Sequence, residues 1–117
     1  KPYHLIGLEL GISVASVGLR REPTGVPLAF HADVVATAKR DLKAGELLDG
    51  EGGFTVFGRL LPAAESLRLG GLPLGLAHRV KLKQPIAAGQ AVRWADVEID
   101  ETQQAVRIRR EMERTMA

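Results

Sequence analysis

Three cations alternate with two apolar residues in Arg79-Val80-Lys81-Leu82-Lys83, and no acidic residue occurs between Glu65 and Asp96. In a strand, side chains two apart share a face, so the cations point one way while Val80 and Leu82 face a core. Convergent cations suit a multiply charged ligand such as a substrate phosphate; a solvated strand face is the plainer alternative. Lys39 and Arg40 raise the same two readings earlier in the chain. No catalytic set emerges. Ser13, Ser16 and Ser66 lack a nucleophile-elbow context, and no spacing brings a particular pair of carboxylates together for acid–base work. His4, His31 and His78 follow no metal-site spacing and Cys is absent, so structural or surface roles are expected and no metal. The run from Asp49 to Gly53 is acidic but stops short of a calcium loop, and reads as a flexible turn.

The elements that must carry these residues fit one domain. The chain has 117 residues, 45% hydrophobic and 26% charged, which is globular composition and too short for a dinucleotide-binding domain plus a substrate domain. The formal net charge is +2 and aromatics make up 4%, without the clustered basic excess or stacking platform of a nucleic-acid binder. Residues 5 to 19 are the most apolar stretch, but they include Glu9 and fall short of the roughly 20 residues a membrane span needs.

Residues 4 to 20 have helical apolar spacing, weakened by Gly7, Gly11 and Gly18, and such a helix needs a packing partner. Because the chain opens at Lys1 and turns apolar within four residues, 1–30 reads as the tail of a preceding domain, ending in the turn Glu22-Pro23-Thr24-Gly25. A strand is expected over 32–40. It leads into Asp41-Leu42-Lys43-Ala44-Gly45-Glu46, where Gly45 takes φ > 0 in a turn and Leu42 and Leu48 are buried. The phrase returns as Pro85-Ile86-Ala87-Ala88-Gly89-Gln90, 44 residues on, with Lys39 matching Lys83, Leu42 matching Ile86, Gly45 matching Gly89 and Leu48 matching Val92. Two related strand-turn-strand units closing on each other are implied, since one alone cannot bury its face. Between them, Phe54, Val56 and Leu60 offer apolar positions, and 62–69 reads as a short helix stopped by Gly70. Gly52, in the loose loop, is expected to tolerate a side chain better than Gly45 or Gly89. A terminal helix follows an Asp100/Gln103 capping pair, with Ala105, Ile108, Met112 and Met116 on its packing face and Arg107, Arg109, Arg110, Glu111, Glu113 and Arg114 forming a solvated or salt-bridged face. Trp94 belongs to the core or an interface.

The two phrases, with the trailing Trp94-Ala95-Asp96-Val97, resemble the SAF domain, an antifreeze-like module with a β-clip fold, over about residues 33 to 98. The resemblance implies a mainly β fold, a β-clip over 31–100, with helical segments before it (1–30) and after it (101–117). The longer phrase Val34 to Glu46, with Leu76-Ala77-His78 and Pro2-Tyr3-His4-Leu5, is similar to the C-terminal part of bacterial NAD(P)-dependent oxidoreductases resembling homoserine dehydrogenase, including a reductoisomerase-like branch acting on deoxyxylulose phosphate. This implies a cytoplasmic parent whose Rossmann and catalytic domains precede the module and bind NAD or NADP. The module itself would bind no cofactor and would cover the substrate cleft or hold subunits of a homo-oligomer together. No GxGxxG fingerprint occurs in the chain. Where sialic acid synthases reach an arginine over a neighbouring active site from their antifreeze-like domain, the aligned position here holds Val34. A free-standing SAF module gripping an acidic carbohydrate or an assembly partner through Arg79, Lys81 and Lys83 is the alternative. Neither reading involves nucleic acid or a membrane.

Overall fold

A computed structural model describes residues 2, 3 and 5–115. Helix α1 (Ile6–Ala15) runs on through a wider π-type turn at Ser16–Arg20, and a coil to residue 31 leads into β1 (Ala32–Ala38). Then come β2 (Leu47–Asp49), β3 (Val56–Pro62), α2 (Ala63–Leu69), β4 (His78–Leu82), β5 (Val97–Glu98) and α3 (Gln104–Thr115), with short 3₁₀ turns at Leu74–Leu76 and Trp94–Asp96. All strand pairs are antiparallel: β1 with β3 in one sheet, and β2-β4-β5 in the other. The body is a β-clip, and helices flank it at both ends of the chain.

The repeat in the sequence is a repeat in the hydrogen bonds. Leu42 N donates to Ile86 O at 2.8 Å and Ile86 N returns a bond to Leu42 O at 3.0 Å, so the matching positions meet at a local two-fold. Around it, Gly45 N to Leu82 O (2.7 Å) mirrors Gly89 N to Ala38 O (2.8 Å), and Leu82 N to Glu46 O mirrors Ala38 N to Gln90 O, both 2.9 Å. Each half therefore completes its sheet with the chain that follows the other half's turn. Gly45 and Gly89 hold φ +82 and +77, left-handed values that let both turns close. Leu42, Leu48, Val80, Leu82, Ile86, Val92 and Val97 fill the core between the halves.

Several local expectations change. β1 ends at Ala38, so Lys39 and Arg40 sit in a bend, and β4 ends at Leu82, which leaves Lys83 outside the strand. Val56 is buried, but Phe54 and Leu60 are 84% and 71% exposed. The 49–53 loop is braced: Asp49 accepts hydrogen bonds from Phe54 N (2.5 Å), Thr55 N (3.0 Å) and the Thr55 hydroxyl. Those bonds push its pKa down to about 2. Gly52 has φ +76, like the repeat glycines, so its expected tolerance does not follow. At the C-terminus the Asp100 carboxylate accepts from Thr102 N and its hydroxyl, and the helix starts only at Gln104.

The two terminal helices invert the usual rule. Leu5, Ile6, Leu8, Leu10, Ile12 and Val14 spread around α1, and none of its residues is buried. The chain's radius of gyration, 16.8 Å, exceeds the roughly 13 Å of a compact chain this long because that end projects. By contrast, α3 docks through Val106, Arg109, Arg110 and Glu113 and leaves Ala105 and Ile108 in solvent. The expected packing face was the wrong one; of it, Met112 is half-buried and Met116 lies outside the described residues.

Candidate functional site

The densest polar constellation lies where α3 meets the clip. Asp33 opens β1 and is 6% exposed. Its Oδ2 accepts from Ser66 Oγ of α2 at 2.6 Å and its Oδ1 from Val34 N at 3.0 Å. The fork of Arg109 then closes on both oxygens, at 3.1 and 2.6 Å. Burial pushes the Asp33 carboxyl up, but Arg109, Ser66 and Val34 outweigh it and hold it below the ordinary aspartate range. Burial likewise opposes the charge on Arg109, and its bonds to Asp33 and Glu113 raise its pKa nonetheless. The Arg109 guanidinium lies 4.9 Å from the Phe30 ring centroid, and that of Arg110 lies 4.2 Å from the Trp94 centroid. Glu113 binds both arginines at 2.8 Å and so fixes their relative orientation.

Trp94 itself is positioned from below. Asp96, wholly buried, accepts from Arg93 N (2.9 Å), from the Arg93 guanidinium (3.1 Å twice) and from Gln84 Nε2 (2.5 Å). Burial raises its pKa, but Arg93 and Gln84 prevail and lower it. Open clefts of about 320 and 470 Å³ flank Trp94, sharing Glu101 and Arg110 in their walls; Lys83, Glu98 and Asp100 line the first, Arg93 and Leu69 the second. These are mixed-charge surfaces. Among the described residues no group of His, Asp or Glu is placed to hold a metal ion.

The cations singled out from the sequence have different immediate surroundings. Lys39 donates to the Gly53 carbonyl and Arg40 pairs with Glu46. Arg79, Lys81 and Lys83 are exposed while Val80 and Leu82 are buried, in keeping with strand alternation. Yet Lys83 faces a cleft that also holds Glu98, Asp100 and Glu101, and Lys81 lies opposite Glu98 in the ladder. Arg79 has φ +56 beside an irregularity between β2 and β4, which leaves both it and His78 outside the core. The ring of His78 lies 3.1 Å from Asp49 O, His31 is exposed, and His4 lies outside the described residues. Sequence reading missed Asp33, Ser66 and Arg109 as a set, because Arg109 is 76 residues from Asp33. The detectable signal was the spacing of Val106, Arg109, Arg110 and Glu113, which is a docking stripe once charged residues are admitted to it.

Reciprocal turns around a local two-fold, closing on one core, define a β-clip module of the antifreeze-like class. The model of the SAF domain family matches residues 33–98, more than half of the chain, and the chain belongs to that family. No curated protein matches it. No helix among the described residues is long and apolar enough to cross a membrane.

Proposed function

We propose that this SAF domain is the non-catalytic C-terminal module of a cytoplasmic NAD(P)-dependent oxidoreductase acting on a small hydroxy or keto substrate, phosphorylated or not. The carrying observation is α1. A helix apolar on every side belongs in the interior of a larger folded unit, and ten residues cannot hold a helix unaided in water. The preceding catalytic domain is that unit, and the phrase Pro2-Tyr3-His4-Leu5 agrees with this placement. NAD or NADP then binds the preceding Rossmann domain, and this module covers the substrate cleft or holds subunits of a homo-oligomer together. The coding sequence upstream of Lys1 is the test: an in-frame strand followed by GxGxxG is expected, and its absence removes the proposal.

The second reading is a free-standing module that binds an acidic carbohydrate or an assembly partner. Arg79 and Lys81 favour it, being exposed and without an ion pair among the described residues. Amide-shift titration with an acidic oligosaccharide separates the two: saturable shifts confined to β4 support this second reading, and uniform or absent shifts reject it.

A further inference from the structure

We propose that the clip surface beneath α3 is a receptor for two adjacent guanidinium groups, and that α3 is its displaceable occupant. The receptor is built without α3. Ser66 Oγ and Val34 N fix the Asp33 carboxylate from α2 and β1, and the Arg93–Asp96 contacts fix the turn carrying Trp94. This leaves a carboxylate edge aimed at a planar fork, with one aromatic ring for each guanidinium. The occupant is matched to it: Arg109 and Arg110 are neighbours in sequence, and Glu113 orients both from one turn further along.

The same contacts let α3 leave. Val106 is its one buried residue, so little apolar surface holds it down. When the whole helix departs, Arg109 and Arg110 carry Glu113 with them into water, and Asp33 keeps two hydrogen-bond donors. Asp33 gives up its ion pair with Arg109 but stays held by Ser66 and Val34, so the carboxylate remains aimed at the vacated seat. The binding chemistry is therefore Arg-Arg followed by an acid one turn on, presented by a helix, and a second copy of α3 in trans satisfies it as well as the first in cis.

Trp94 is the chain's single tryptophan, so its emission reports the Arg110 seat. In the full chain carrying Arg109→Gln and Arg110→Gln, the emission should shift to the red while the clip still unfolds cooperatively in urea. A synthetic peptide of residues 104–115 should then restore the emission saturably. The same peptide with glutamine at both arginine positions should bind at least about tenfold more weakly, the loss of charge-assisted hydrogen bonds. Unchanged emission in the variant, or equal binding of the two peptides, overturns the proposal. So does loss of cooperative unfolding in the variant, which would make α3 an integral part of the clip.

Discussion

Position 49 in the first half of the clip corresponds to position 93 in the second, and there the two halves carry opposite charges. Asp49 reaches forward to Thr55, the residue before β3; Arg93 reaches forward to Asp96, the residue before β5. The backbone makes the equivalence plain, because Lys39 N donates to Thr55 O (2.9 Å) just as Lys83 N donates to Asp96 O (2.8 Å). In both halves a side chain staples the turn to the start of the outer strand, but the acceptor is on the turn in one and on the strand side in the other. What the fold requires at that point is a hydrogen-bonded bridge. The direction of donation is free.

The sharpest way to break this comparison is to remove the two carboxylates separately. Asp96 is fully buried and serves Arg93 and Gln84, so Asp96→Ala should lower stability by about 3 kcal/mol. Asp49 is half-buried, and Asp49→Ala should cost less, about 2 kcal/mol by the same reasoning. Urea midpoints decide it, and a larger loss at Asp49 would mean the staples are not counterparts. Gly53→Ala sharpens the point, because an added Cβ would lie 2.2 Å from the Asp49 carboxyl carbon. It should cost about as much as Asp49→Ala, and the double variant little more than either, since both break one staple.

Acid unfolding probes the same bridge. The folded Asp49 carboxyl titrates at about 2, against about 3.9 in an unfolded chain, so its stabilisation is complete above the unfolded value and drains away as pH falls towards 2. Asp49→Asn should flatten that part of the stability curve, measured as urea midpoints between about pH 5 and pH 2. Next in size are the turn glycines, where Gly45→Ala and Gly89→Ala should each cost about 1 kcal/mol and agree with one another. Unequal urea midpoints would show that the local two-fold does not extend to energetics. The smallest effect is expected at the exposed Arg40–Glu46 pair, which has no counterpart in Gln84 and Gln90: Arg40→Gln should leave the urea midpoint close to that of the parent chain.

The turns were legible in the sequence because glycine at φ > 0 has few substitutes, so the constraint was spelled alike in both halves. The staples were hidden. One uses an aspartate with a partner six residues on, the other an arginine with a partner three residues on, and nothing in residue type or spacing relates them. α3 was misplaced for a different reason. A periodic apolar row at Ala105, Ile108 and Met112 suggested the packing face, but Phe30, Trp94 and the Asp33 carboxylate offered better partners to arginines than to methyl groups. α1 looked like a helix in want of a partner and is found exposed.

The reciprocal pairing at Leu42 and Ile86 bears on the order of events as the chain folds. β1 and β3 pair within the first half, but each turn takes its main-chain partners from the other half, so the Leu42–Ile86 pairing forms only when a loop of 44 residues has closed, at an entropic cost of about 3 kcal/mol. That long-range closure should make folding slow for the chain's size. On the ribosome, β1 has its partner once β3 has emerged and β2 once β4 has, while the first turn waits for its main-chain partners until the second turn has left the exit tunnel.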